Sequence, residues 1–221
     1  MREDYTAIAM IIDRSGSMNG IVDDTIGGVN TFIEKQKEVD GDASVLMVQF
    51  DDKIETIHDF IDIQEVPELT SDVYYPRNST SLLDAIGMTC TKLGKILSDL
   101  DESERPGKVI VAILTDGQEN TSMEFNASQI KDMIKEQEEV YNWDFNFISA
   151  DISSLDDARS WGFSVDKSAL YSKASTGGTF DALSAKMTRV RGSSMEQYAS
   201  GEVQDFTSDE LLAMNNDKDD T

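Results

Sequence analysis

The chain has 221 residues, 39% of them apolar, and its 43 acidic side chains against 19 basic ones give a net charge of −24. That is enough apolar material for one sizeable domain, but so negative a surface repels nucleic-acid backbones and anionic membranes. The single cysteine, Cys90, excludes an internal disulfide, and no apolar run approaches the roughly 18 residues of a membrane span.

In chain order, the opening Met-Arg-Glu-Asp leads directly into an apolar strand at 6–13. This leaves no room for a secretory signal and makes a cytoplasmic protein the expectation. Val22, Ile26, Val29 and Ile33 follow at helical spacing, then a second apolar strand at 43–51. Residues 53–61 come after only Asp51-Asp52, too short a link for a crossover, so they form a hairpin and an antiparallel edge strand. On it Ile54, Thr56 and His58 alternate with Glu55, Ile57 and Asp59, and His58 is expected to be solvated. Leu82, Ile86, Cys90, Leu93 and Leu97 mark a second helix with Cys90 on its apolar face, and 109–115 a third parallel strand. Ile130, Ile134 and Tyr141 mark a third helix, followed by a strand at 145–150 and a short helix at 154–161. A short last strand at 169–172 and a closing helix at 179–190, apolar through Phe180, Leu183, Met187 and Val190, complete the pattern. Strands alternating with helices predict an α/β fold, Rossmann-like and doubly wound. Its central sheet is mostly parallel, with one antiparallel edge strand and helices on both faces.

Beyond Arg191 the apolar content falls, and 193–221 reads as a flexible acidic tail. Within it Thr207-Ser-Asp-Glu210 forms a capping box ahead of Leu211-Leu212-Ala213-Met214, enough for a short helix. The tail is a solvated end, a docking peptide, or an internal ligand for the site described next.

Ligands of an open parallel sheet gather at the carboxyl ends of its strands, where the strand order reverses. The first strand ends Ile12-Asp13-Arg-Ser15-Gly-Ser17, and the third parallel strand ends Thr115-Asp116-Gly117. If these two strands are neighbours, Asp13 and Asp116 converge, with Ser15 and Ser17 on the loop between them and Thr80 just before the second helix. Each aspartate alone could be a helix cap or turn former. Together the five offer only oxygen, which suits Mg2+, Mn2+ or Ca2+ and argues against zinc. Gly16 and Gly117 would let backbone approach closely.

Asp13, Ser15, Ser17, Thr80 and Asp116, in three segments in this order, resemble the metal-ion-dependent adhesion site of the von Willebrand factor A domain family. The resemblance makes 1–192 one such domain. Asp144 to Asp151 with Trp161-Gly-Phe, and the helix opening Gly177-Gly-Thr-Phe, look like stand-alone intracellular bacterial and bacteriophage members. It implies that the hydroxyls bind the cation directly while the aspartates often act through water. The ion then stays electrophilic, with a position open for an Asp or Glu carboxylate of a partner protein. Asp84 is expected to support the loop rather than the metal. Asn78-Ser79 stands where many relatives carry two glycines, which leaves the Thr80 loop stiffer or shifted.

The resulting expectation is a non-enzymatic, cation-dependent protein-binding module. The alternative is a magnesium-dependent phosphohydrolase, but Asp13 is followed two residues later by Ser15 rather than a second acid. The chain also has no P-loop, and its one histidine offers little for a Ser-His-Asp triad. A structural component whose site has lost its metal would not be expected to keep all five residues.

Overall fold

A computed structural model describes residues 1–215. Six strands form one sheet: β1 (Arg2–Asp13), β2 (Asp42–Phe50), β3 (Ile54–Asp62), β4 (Pro106–Thr115), β5 (Asp144–Ser149) and β6 (Ser168–Leu170), in the order β3-β2-β1-β4-β5-β6. All pairings are parallel except β2 with β3. Among the described residues the α-helices are α1 (Val22–Lys37), α2 (Leu82–Asp99), α3 (Ala127–Tyr141), α4 (Ile152–Ser160), α5 (Thr176–Arg191), α6 (Met195–Ala199) and α7 (Ser208–Ala213).

The central strand β1 is buried from Thr6 to Asp13, as a parallel strand covered on both faces must be, and its alternate side chains feed two cores. Ile8, Met10 and Ile12 join Phe32 and Ile33 of α1 and Phe180, Leu183 and Met187 of α5. Ala7, Ala9 and Ile11 join Leu82, Ile86, Cys90 and Leu93 of α2, Ile130 and Ile134 of α3, and Leu155 and Trp161 near α4. This is the doubly wound, mostly parallel α/β sheet that the alternation of strands and helices predicts, with helices on both faces.

Two expectations need correction. His58 is buried, because β3 carries more residues than the β2 segment it pairs with. The register slips between Val45 and Met47 and again between Met47 and Val48, which breaks simple alternation. Phe60, inside the first slip, takes a left-handed φ of 54°. The second correction concerns residues 193–215, which pack against the domain instead of forming a flexible tail. Tyr198, Phe206 and Met214 are buried in the same core as α5. The Tyr198 hydroxyl lies 2.8 Å from the Val109 carbonyl and 2.7 Å from the Asn142 carbonyl, its one proton available to either, and Arg189 pairs with Glu210. Thr207 caps α7 with a full capping box, and Ser172 N–H donates to the Met214 carbonyl at 3.0 Å. Gly178 permits this approach: a Cβ there would lie 2.5 Å from the Ala213 oxygen. The acidic residues from Asn216 onward lie outside the described residues.

Candidate metal centre

The strand order reverses between β1 and β4, which run side by side with Ala7 opposite Val109 and Ile12 opposite Leu114. Their carboxyl ends therefore deliver Asp13 and Asp116 to one edge of the sheet. Asp13 is fully buried, and both its oxygens are engaged. Oδ1 accepts from the Ser15 backbone N–H at 2.6 Å, and Oδ2 accepts from the Thr115 hydroxyl at 2.6 Å. Ser17, which is exposed, donates through Oγ to Asp116 Oδ1 at 2.6 Å, and its Oγ lies 3.0 Å from Ser15 Oγ. Thr80 faces the same space. A Cβ built on Gly117 would sit 3.5 Å from Ser17 Oγ and 3.8 Å from Thr80 Oγ1, so the missing side chain leaves open a cradle between the two hydroxyls. All five residues singled out from sequence thus share one small region.

Three loops are stapled together to make it. Gly16 N–H donates to the Asn78 carbonyl (3.1 Å), Arg77 N–H to the Arg14 carbonyl (2.9 Å), and Asn120 N–H to the Thr80 carbonyl (3.0 Å). Asn120 Oδ1 accepts in return from Thr80 N–H at 3.0 Å. Asn78 adopts a left-handed φ of 55°, a conformation asparagine tolerates well, so the turn before Thr80 forms without glycine. Asp84 accepts the backbone N–H groups of Met123, Glu124 and Phe125, which holds the loop after β4 and keeps its carboxylate away from the site. Beneath, Arg14 is buried against Asp51 (3.1 Å) and Glu55 (2.8 Å), and Arg77 reaches the same two acids. Tyr74 donates its hydroxyl to the Asp13 carbonyl at 2.7 Å.

Burial raises the Asp13 carboxyl to about 6; the hydrogen bonds from Thr115 and Ser15 oppose the rise, and the nearby Asp116 charge adds to it. The Tyr171 hydroxyl, buried and without a hydrogen-bond partner among the described residues, is also pushed up by burial and by both aspartates. Two carboxylates and three hydroxyls at one strand edge, with no nitrogen or sulfur ligand, make a donor set that fits a hard divalent cation. Among the described residues no three His, Cys, Asp or Glu side chains gather, so the hydroxyls are essential to this set.

Two further residues take part, Thr115 and Lys173. By pattern Thr115 is a strand residue, and its place next to Asp116 at a strand end is the signal for its role. Lys173, in the turn after β6, puts its ammonium 2.5 Å from Asp116 Oδ2 and 3.4 Å from the Ser17 carbonyl. A lysine in a loop carries no such signal by composition, but its position just past a strand's carboxyl end does.

No protein-family model and no characterised protein sequence matches the chain. Solved structures do. A minor pilin, PilB, from Streptococcus sanguinis superposes with a TM-score of 0.60 at 13% identity, over 83% of this chain and 61% of that one. A von Willebrand factor type A protein from Catenulispora acidiphila gives 0.55 at 12% identity, over 83% and 43%. Proximal thread matrix protein 1 from the mussel byssus, solved with a zinc-occupied metal-ion-dependent adhesion site, gives 0.53 at 16% identity, over 90% and 46%. The chain spans about half the length of these structures, and at such identities the likeness speaks for the fold alone, which is of the von Willebrand factor A type.

Proposed function

We propose that this chain is a divalent-cation-dependent protein-binding module. Asp13, Ser15, Ser17, Thr80 and Asp116 would hold Mg2+, Mn2+ or Ca2+, and an Asp or Glu side chain of a partner protein would complete the coordination. The observation that carries the reading is the oxygen-only cluster at the β1–β4 switch point, in which Ser17 links Ser15 to Asp116 beside the open cradle at Gly117. A divalent ion bound there would supply an electrophilic position for an outside carboxylate. Exposed apolar side chains follow the carboxyl ends of β4 and β5: Met123 on the loop after β4 is 91% exposed, and Ile152 at the start of α4 is 65% exposed. Without a cation, a chain of charge −24 would repel an acidic partner, so the metal decides whether binding occurs.

The reading includes a non-catalytic role in the cytoplasm of a bacterial or bacteriophage system. Against phosphohydrolase chemistry, Asp13 is fully buried with both oxygens already accepting hydrogen bonds, so it does not face solvent as a nucleophile. No described helix is long and apolar enough to cross a membrane.

The test is affinity capture from a lysate of the native host with the full chain as bait, in Mg2+ or in chelator, for wild type and Asp116→Ala. A partner retained only by wild type and only with the cation is the expected result. Capture that survives both the chelator and the substitution would overturn the reading.

A further inference from the structure

Lys173 is a cation already in place at the candidate metal centre. Its ammonium binds Asp116 Oδ2 at 2.5 Å while Ser17 holds Oδ1 at 2.6 Å, so both oxygens of this carboxylate are committed within the chain. Asp116 is buried and Lys173 is 43% exposed, so the pair has one fixed member and one that can leave. The backbone under Lys173 is anchored independently of the side chain: its carbonyl accepts from the Thr176 hydroxyl at 2.8 Å, and the neighbouring Ser172 N–H donates to Met214. A lysine stem is flexible and its ammonium strongly hydrated, so it can swing into water while the turn stays still.

The other basic groups near the site are held elsewhere, Arg77 by Asp51 and Glu55. Arg14 is buried and bound to the same two acids.

We propose that the Lys173 ammonium stands in for the divalent ion at Asp116 in the metal-free protein and must be displaced before the ion binds. This rests on the metal-site reading above and adds to it a tethered competitor that lowers metal affinity. Lys173 is then a positioning residue, holding Asp116 in place and neutralised until a cation of higher charge arrives.

Isothermal titration of the full chain with Mn2+ tests this in wild type, Lys173→Met, Lys173→Gln and Lys173→Arg. Removing a half-exposed ion pair should tighten Mn2+ binding about fivefold in the two neutral variants. Lys173→Arg keeps the charge and should stay within about twofold of wild type. In wild type itself, labelling of Lys173 by an amine-reactive reagent, read by mass spectrometry, should rise when Mn2+ is added. Neutral variants that bind Mn2+ no tighter than wild type, or Lys173 labelling unchanged at saturating Mn2+, would overturn the displacement and leave the metal site standing. No Mn2+ binding by wild type or any variant would remove the metal site and this inference with it.

Discussion

Asp13→Asn separates the charge of Asp13 from its shape. Burial raises this carboxyl from 3.8 to about 6, and at 1.36 kcal/mol per unit the ionised form costs the metal-free fold about 3 kcal/mol at neutral pH. Asparagine has the same shape and no charge. Its carbonyl can accept from Ser15 N–H, and its amide can donate to the Thr115 hydroxyl, which has the Gly117 carbonyl 3.2 Å away as an alternative acceptor. Some hydrogen-bond strength is lost with the charge, so the net gain should be about 1–3 kcal/mol, a rise in Tm of roughly 3–9 °C for a chain of this size. Because the folded value is raised, the native state holds a proton that the unfolded chain releases between about pH 4 and 6. Wild type thus has the full benefit of neutral Asp13 below about 4 and loses it as pH rises through about 6. The difference between variant and wild type should therefore be near zero at pH 4, grow through pH 6 and level off above pH 7. Urea denaturation in chelator at pH 4.5, 6 and 7.5 measures it, and adding Mg2+ should raise the Tm of wild type alone. A variant less stable than wild type at pH 7.5, or a difference independent of pH, would refute the assignment of a buried, charge-penalised Asp13.

Thr80→Ala and Asp116→Ala should each abolish calorimetric binding of Mg2+ or Mn2+ at millimolar concentration while the chain stays folded by circular dichroism; retained binding in either would remove that residue from the site. A panel of nucleotides and phosphomonoesters should show no turnover that disappears in Asp13→Ala, and such turnover would replace the binding reading with an enzymatic one. Cutting the chain after Gly192 removes the buried Tyr198, Phe206 and Met214. At about 1.5–3 kcal/mol each the loss is about 5 kcal/mol or more, enough to leave a typical domain largely unfolded. A truncated chain as stable as the whole would contradict the packing of residues 193–215.

What could be read from sequence follows from how each feature is encoded. The continuous apolar run from Ala7 to Ile12 identifies a doubly covered parallel strand, and the short Asp51–Lys53 link forces a hairpin, so sheet and edge were both legible. Asp13, Ser15, Ser17 and Asp116 were legible because strand-end position is itself a local property of the sequence. The C-terminal segment was not. Tyr198, Phe206 and Met214 are spaced with neither strand nor helix period, so no window of sequence shows an apolar face. Their burial depends on the surface of α5 and on the space at Gly178, which only the folded domain provides. Burial of His58 depends in the same way on register slips that a period of two cannot anticipate.

Stapled loops and a movable lysine make different demands on the same two carboxylates. The loops are fixed by backbone hydrogen bonds among Gly16, Arg77, Asn78, Thr80 and Asn120, so the aspartates cannot move apart to relieve their repulsion. Only Asp116 is neutralised from within, by Lys173, while Asp13, raised to about 6, is ionised at neutral pH and its charge is borne by the fold. A divalent cation at the proposed site would act on both at once, compensating the Asp13 charge and releasing the Lys173 ammonium. Stability of the metal-free fold and affinity for the ion are therefore opposed at this site. A change that neutralises Asp13 steadies the empty protein and removes a ligand. Loss of the Lys173 charge leaves Asp116 less settled but more available to a cation from outside.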